Sequence, residues 1–364
     1  MLLGGLLVIE QTMQKKLYDQ QMAKRWSKEG DAAQISVFYP QGEVEDAVFF
    51  RGIEQSVDKA LQQASITTEK EGARLWIDAV SRSGKIILRS ERATLEVKAI
   101  GVRGEFFQFH PQKVLEGALF REDSMMQDGV VLDKETAWQL FGSYDVEGMQ
   151  IMIGQVPHRI TGVIERPTGR LQRAAGLDKA ICYLSLDSLE AYGTATGGFT
   201  YEIVMPNPIK NFALSTMQAA VGKENEKLVV IENSSRFHIL PLLMVMKQFG
   251  IRSMSFQEIT YPYWENVARG YEDIFALFLG FKIVCLMNPV VFLFAVLILY
   301  WKRKTWTMKK GIVWIQDTLY ERSAKRTQEK KQRKDSTKMK VESGKVLKLG
   351  SEKEQKNGGE NEKS

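Results

Sequence analysis

Two cysteines in 364 residues, Cys182 and Cys285, leave this chain without a disulfide framework. One lies in a mixed polar and apolar body and the other inside a long apolar run, so they are not expected to pair with each other. Histidine is as scarce. His110, His158 and His238 have no cysteine or carboxylate at ligand spacing beside them and read as ordinary surface or strand histidines. Neither a metal nor a cofactor is expected. No G-x-S-x-G, H-E-x-x-H, C-x-x-C or G-x-x-x-x-G-K-S/T run occurs, which argues against an enzyme and against a Walker-type ATPase in these residues. Glu265 and Asp273 read as parts of a solvated helix face rather than as a paired-carboxylate site.

Long hydrophobic runs are nearly absent as well. A mean hydropathy of −0.23 with 26% charged residues excludes a polytopic transporter in which most residues face lipid. One run stands out: Ile283 to Trp301 contains no Asp, Glu, Lys or Arg and is followed at once by Lys302, Arg303 and Lys304. It has the roughly 20 residues that a hydrocarbon core about 30 Å thick demands of a helix. Tyr300 and Trp301 fall where an aromatic belt belongs, and the basic triplet falls where a cytoplasmic stop belongs. A transmembrane helix over 273–301 is therefore expected, loosened by Asn288-Pro289 inside it. Lys282 is placed to snorkel toward the outer headgroups.

The net charge of +6 and pI near 9.0 invite a nucleic-acid reading that the charge distribution excludes. From Lys302 to Ser364 there are 19 Lys and Arg against 9 Asp and Glu, a net +10, so the 301 residues before them carry −4. An acidic body ahead of an apolar helix, with a basic tail behind it, is the positive-inside pattern. It predicts a cell-membrane protein with its soluble body extracytoplasmic and its C-terminal tail cytoplasmic. Trp306, Trp314 and Leu319 interleave with lysines and arginines, as in a helix lying on an anionic leaflet. They form, with Trp301, Lys302, Arg303 and Lys304, the expected membrane-interface set, on a basic amphipathic segment over 302–327. Residues 328–364 have few large apolar side chains and are expected to be a disordered basic tail.

At the other end, Met1 to Ile9 is apolar and Glu10 and Gln11 end the run. Nine residues rise only ~14 Å as a helix and cannot span a bilayer. Neither a basic n-region nor a small-residue cleavage site marks a signal peptide. Residues 1–11 read as a partial signal-anchor helix, with the true start expected upstream of Met1.

Between these ends lies a body over 12–272. Residues 10–28 have helical spacing and read as one helix leaving the membrane. Gln34 to Pro40 alternates Ile35, Val37 and Tyr39 against Gln34, Ser36 and Phe38, which is strand behaviour. A helix over 46–64 and a strand over 75–80 follow, giving a βαβ-like start. Gly84 in Ser-Gly-Lys reads as the turn of a hairpin. Asp133 is placed to cap a helix over 134–141, and Gly142 to close it. Further strands are read over 149–153, 158–164, 180–184 and 201–205, and helices over 211–221 and 237–249. A helix over 265–280 continues without a breaker into the membrane run, so a stiff rod is expected to join body and membrane. The fold class is α+β.

Read in order, Gly101-Val-Arg-Gly104, Phe106-Phe-Gln-Phe109, Gly117-Ala-Leu-Phe120, Val130-Val-Leu132, Ala137-Trp-Gln-Leu-Phe-Gly142, Asp145-Val-Glu-Gly148 and Thr161-Gly-Val-Ile164 form one ordered set. It resembles the MacB-like periplasmic core domain of ABC-transporter permeases, most strongly from Ile100 to Pro167. Gly117-Ala replaces the family's Gly-Arg, and Glu147 is interposed before Gly148. The motif positions, Gly101, Gly104, Phe106, Gly117, Phe120, Leu140, Phe141, Gly142, Gly148 and Gly162, are folding residues. The resemblance implies an extracytoplasmic core domain of two mixed α/β subdomains on transmembrane helices. It further implies a non-catalytic permease-type subunit for export, coupled to a separate ABC ATP-binding subunit and assembled with another permease subunit or a second copy. In the family one transmembrane helix precedes the core and three follow it. Here a partial first helix and one later helix are read, so the set is expected to be truncated. An anchored extracytoplasmic binding or scaffolding protein that has lost ATPase coupling is the alternative.

Overall fold

The computed structural model describes residues 2–27, 29–42, 47–67, 73–121, 127–222, 227–249, 259–303 and 308–354. The chain forms two compact units, a body over Met1–Leu286 and a second unit over Met287–Ser364. The body begins with α1 (Leu2–Lys15), a 3₁₀ turn at Tyr18–Gln20, α2 (Met22–Trp26), β1 (Ala32–Phe38), α3 (Ala47–Gln63), β2 (Ile77–Arg89) and β3 (Thr94–Gly104). It continues through α4 (Phe106–Phe109), β4 (Lys113–Gly117), β5 (Gly129–Asp133), α5 (Lys134–Phe141), β6 (Gln150–Ile153) and β7 (Val156–Glu165). There follow α6 (Arg170–Gln172) with a π turn at Arg173–Leu177, β8 (Ile181–Ser185), α7 (Leu186–Tyr192), β9 (Thr194–Pro206), α8 (Phe212–Ala220), β10 (Val229–Glu232) and α9 (Ile239–Lys247). Two long helices complete the chain, α10 (Tyr263–Arg303) and α11 (Met308–Glu354).

Among the described residues, ten strands form one mixed sheet in the order β10-β1-β9-β2-β3-β8-β5-β7-β4, with β6 pairing β2 and β7. β9 is antiparallel to both β1 and β2. β1 and β2 therefore run the same way, with β9 between them and α3 as the crossover. One half of the sheet packs Ile35, Val37, Tyr201 and Ile203 against Phe50, Ile53, Val57 and Leu61 of α3. The other half closes over Ala137 and Leu140 of α5. The two mixed α/β halves share β2, which gives Val80 to the first core and Ile86 and Leu88 to the second. Each such fully buried side chain contributes about 1.5–3 kcal/mol.

The helix between Asp133 and Gly142 forms as its sequence predicts. Asp133 Oδ1 accepts from the backbone N–H groups of Glu135 and Thr136, at 2.8 and 2.9 Å. Gly142 takes the left-handed conformation, φ 72°, that ends the helix. Gly84 differs from expectation. β2 runs straight through it and the chain reverses at 90–93, where Ser90 Oγ accepts from Ala93 N–H. What Gly84 provides is clearance: a Cβ there would lie 2.8 Å from Thr194 O and 2.9 Å from Leu189 Cδ1.

Residues 10–28 also depart from the single helix expected. α1 ends at Lys15, and α2 starts after an irregular turn. Leu17 and Met22 are buried in two different cores, and Gln34 holds the break by accepting from Met22 N–H and donating to Asp19 O. The disorder expected over 328–364 gives way to helix as far as Glu354. Lys and Glu dominate that stretch and are strong helix formers even without an apolar face. Lys304, Trp306 and residues 355–364 lie outside the described residues.

α10 has 41 residues with Pro289 inside it. Its most apolar window has a mean hydropathy of 2.6 with none of it buried, and it is the one helix among the described residues long and apolar enough to cross a membrane. Lys282 does not reach freely for headgroups; it is ion-paired with the buried Glu10 of α1.

Candidate functional site

Strand alternation places Gln34 and Ser36 of β1 and Glu202 of β9 on the sheet face opposite the α3 core. Ser36 and Glu202 are direct cross-strand partners. α2, α4 and the first turn of α10 cover that face with Met22, Ala23, Phe106, Phe109 and Trp264. The polar side chains beneath must therefore satisfy one another.

They do so as one unbroken chain. Asp19, just beyond α1, sits with Oδ1 2.9 Å from His110 Nδ1. His110 Nε2 hydrogen-bonds Glu202 Oε2. Ser36 Oγ donates to Glu202 Oε1 at 2.8 Å and accepts from Asn233 Nδ2 at 2.7 Å. Arg236 Nη1 donates to Asn233 Oδ1 at 2.8 Å and to Glu265 Oε2 at 2.8 Å. Arg236 Nε reaches Glu272 Oε1 at 2.8 Å, and Arg269 Nε reaches Glu265 Oε1 at 2.9 Å. Glu265, Arg269 and Glu272 stand at i, i+4 and i+7, so α10 presents all three on one side. The chain links the segment after α1 to the beginning of α10 through the interior of the body.

Charges removed from water hold together only when paired, and losing one partner strands the other. Burial alone lowers the pKa of His110, but the charge of Glu202 and its hydrogen bonds to Asp19 and Glu202 overcome this and raise it to about 9. The imidazole is thus a buried cation at neutral pH, flanked by the rings of Phe106 and Trp264 with centroids 4.6 and 4.2 Å away. Burial raises the pKa of Glu265, yet Arg236 and Arg269 together hold it below the ordinary carboxylate value. The Arg236 guanidinium is shifted up: Glu265 and Glu272 outweigh its desolvation.

Next to this polar chain lies an apolar joint. Met13 and Leu17, leaving α1, pack with Leu242 and Met246 of α9 and with Phe275 and Leu279 of α10. Polar chain and apolar joint together hold the segment after α1 and the first half of α10 to the rest of the body. Among the described residues no group of His, Cys, Asp and Glu is arranged to hold a metal ion.

The motif positions read from sequence do not converge on a site. Phe106 and Leu140 are fully buried, Phe120 is half-buried against the core of Phe106 and Trp264, and Phe141 is half-buried against the second core. Gly101 lets β3 pass α7, since a Cβ there would lie 2.8 Å from Leu189 Cβ. Gly104 has φ +74° beside Asp78 O. Gly117 and Gly162 are register partners of β4 and β7; Gly148 N–H donates to Ile160 O at 2.8 Å. Trp301, Lys302 and Arg303 end α10 with their side chains exposed, and Trp314 and Leu319 are exposed on α11.

Two readings are corrected. His110 is neither a surface nor a strand histidine but is buried just after α4; His158 is a strand histidine, on β7, and is buried there, held by Val156 O and Ser188 Oγ. Glu265 is 1% exposed, and Asp273 is half-buried, so neither belongs to a solvated helix face. A charged triplet on one helix looks solvated until Arg236, from elsewhere in the chain, is placed over it. The signals that could have found the site are Glu202 inside the apolar strand and the i, i+4, i+7 spacing on α10.

A family profile described as the MacB-like periplasmic core domain matches residues 6–221. The chain is similar to a macrolide export ATP-binding/permease protein of Chromobacterium violaceum, 32% identical over 125 residues, covering 32% of this chain and 19% of that protein. It is also similar to a second such protein of Aeromonas hydrophila, 33% identical over 84 residues, covering 22% of this chain and 13% of that one. The chain thus spans under a fifth of the length of these relatives. Among solved structures, the periplasmic region of MacB from Actinobacillus actinomycetemcomitans matches with 14% identity and a TM-score of 0.37, over 60% of this chain and 94% of that one.

Proposed function

The chain belongs to the family of the MacB-like periplasmic core domain, and from that membership we propose that it is a non-catalytic, permease-type membrane subunit of an ABC export system. Its body is extracytoplasmic, its C-terminal helix is cytoplasmic, and a separate ATP-binding subunit drives it. The relatives are named as carrying ATP-binding and permease functions together, whereas no Walker sequence occurs in these 364 residues. On this reading the energy source is a partner, and the assembly includes a second permease-type subunit or a second copy.

The observation that carries the proposal is the buried polar chain from Asp19 to Arg269. A domain that only binds or scaffolds has no need to lock both of its membrane-leading segments to one internal network. A domain that must follow the movement of its helices does. An all-or-none network suits this task, because packed and paired interiors switch between discrete arrangements rather than deform gradually.

Co-purification tests the proposal. The full chain, extracted from its own membranes in mild detergent, is expected to bring down an ATP-binding subunit. Replacing Trp306, Trp314 and Leu319 together by Ala is expected to reduce that recovery, since aromatic anchors dominate interfaces of modest size. If the unmodified chain recovers no ATP-binding subunit, the anchored scaffold is the better account.

A further inference from the structure

Helix α9 is apolar on both sides. Leu242 and Val245 are buried against the body, while Ile239, Leu240 and Met244 are 64, 68 and 68% exposed and Leu243 is also exposed. Lys247, in the last turn, is the one charged residue in the helix. A helix facing water carries polar residues on its outer side, and an all-round apolar helix belongs in a core or in lipid.

The position of α9 identifies which. Its Leu242 and Met246 pack in the joint with Phe275 and Leu279. Gly280 of α10 lies directly under it, where an added Cβ would be 3.2 Å from Met246 Cε. The apolar membrane run begins at Ile283, three residues or ~4.5 Å further along the helix. Leu277 and Phe281 of α10, flanking Gly280, are exposed as well. The outer side of α9 therefore continues the apolar surface of α10 at the level where the bilayer boundary falls.

We propose that α9 is an interfacial helix whose Ile239, Leu240, Leu243 and Met244 enter the outer headgroup and acyl boundary of the bilayer that α10 crosses. This rests on the membrane reading above. The chemistry favours lipid over a protein partner: the exposed side is aliphatic and carries no Trp, Tyr or Arg anchor of the kind that dominates protein interfaces. Lys247 stands in the last turn, where a cation meets phosphate headgroups. Seated this way, α9 fixes the height of the body above the membrane. Through Met246 and Gly280 it also ties the lipid surface to α10.

The test uses the full chain with Cys285→Ser, in vesicles of phosphatidylcholine and phosphatidylglycerol, with nitroxide labels at Leu240→Cys and Met244→Cys. Labels at Ser56→Cys, on the exposed side of α3, and at Val291→Cys, within the span, serve as references. Oxygen collisions are expected to exceed those of a water-soluble nickel chelate at 240 and 244, at a depth of about 5–10 Å. The order is reversed at 56. If 240 and 244 behave like 56 while 291 lies in lipid, the proposal is overturned and the membrane reading stands. Spin–spin broadening at 240 and 244, relieved by diluting in unlabelled chain, overturns it in favour of a contact between copies. If 291 also meets the chelate, the membrane reading fails, and the proposal fails with it.

Discussion

Arg236 and Glu265 meet as a bidentate pair, Nη1 to Oε2 at 2.8 Å and Nη2 to Oε1 at 3.0 Å, with both side chains buried. One comes from the loop after β10 and the other from the first turns of α10. Their fork-to-fork geometry pins the first turns of α10 to the loop after β10, which a lysine in place of the arginine cannot reproduce.

Arg236→Met removes the cation that Glu265 and Glu272 share. Breaking a buried pair by deleting one partner costs about 3–5 kcal/mol. The full chain in detergent is expected to melt well below the unmodified protein, and its 233–245 region to become protease-sensitive. Glu265 keeps Arg269, so adding Glu272→Gln to Arg236→Met, which neutralises the carboxylate that lost the Arg236 guanidinium, is expected to recover part of the loss.

The pH dependence follows from His110. Its folded pKa, raised to about 9, lies above the unfolded value of about 6.5. A raised pKa means that this contribution is complete below about pH 6.5 and is lost as pH rises through about 9. Stability against denaturant is therefore expected to fall between those limits. In His110→Gln that part of the slope should vanish, which denaturant titrations of both proteins across this range would measure.

Two glycines separate backbone need from convenience. Gly104 sits at φ +74° with Asp78 O 2.6 Å from where a Cβ would stand, whereas Gly52 in α3 has nothing within 4 Å. Gly104→Ala is expected to destabilise by roughly 1–3 kcal/mol, and Gly52→Ala to stabilise by roughly 0.5–1 kcal/mol. Thermal melts of the two variants against the parent check the sign of each.

Much of the fold was legible because its signals are local. The cap at Asp133 and the stop at Gly142 are set by side-chain and backbone geometry within ten residues. The alternation of β1 reported correctly which of its residues share a face. It could not report that Gln34 and Ser36, on the polar face, are buried, because that depends on α2, α4 and α10 folding over them. Gly84 was misread for a related reason: turns and close strand-to-helix approaches both call for glycine, and only the packing of Leu189 tells them apart. The candidate site was the least legible part. Asp19, His110, Glu202, Arg236 and Glu265 are spread over almost 250 positions, and each is unremarkable in its own neighbourhood.

Topology is checked by an impermeant thiol reagent on intact cells, in a Cys285→Ser background that leaves only the buried Cys182. A cysteine at Asp145, exposed on the body, is expected to be labelled, and one at Ser336, exposed on α11, to be protected until the membrane is opened. The motive is the +10 after the span against −4 before it. The reverse pattern contradicts the placement of both.

Hydrogen exchange of the body within the proposed complex with an ATP-binding subunit tests the central claim most directly. Amides of residues 17–26, 233–245 and 263–275, which carry Asp19, Asn233, Arg236, Glu265, Arg269 and Glu272 of the polar chain and Leu17, Leu242 and Phe275 of the joint, are expected to change protection between the nucleotide-free and ATP-bound states. Helix α5 and strand β6, packed in the second core, should keep theirs. Identical exchange throughout the body in both nucleotide states would contradict a domain driven through its helices.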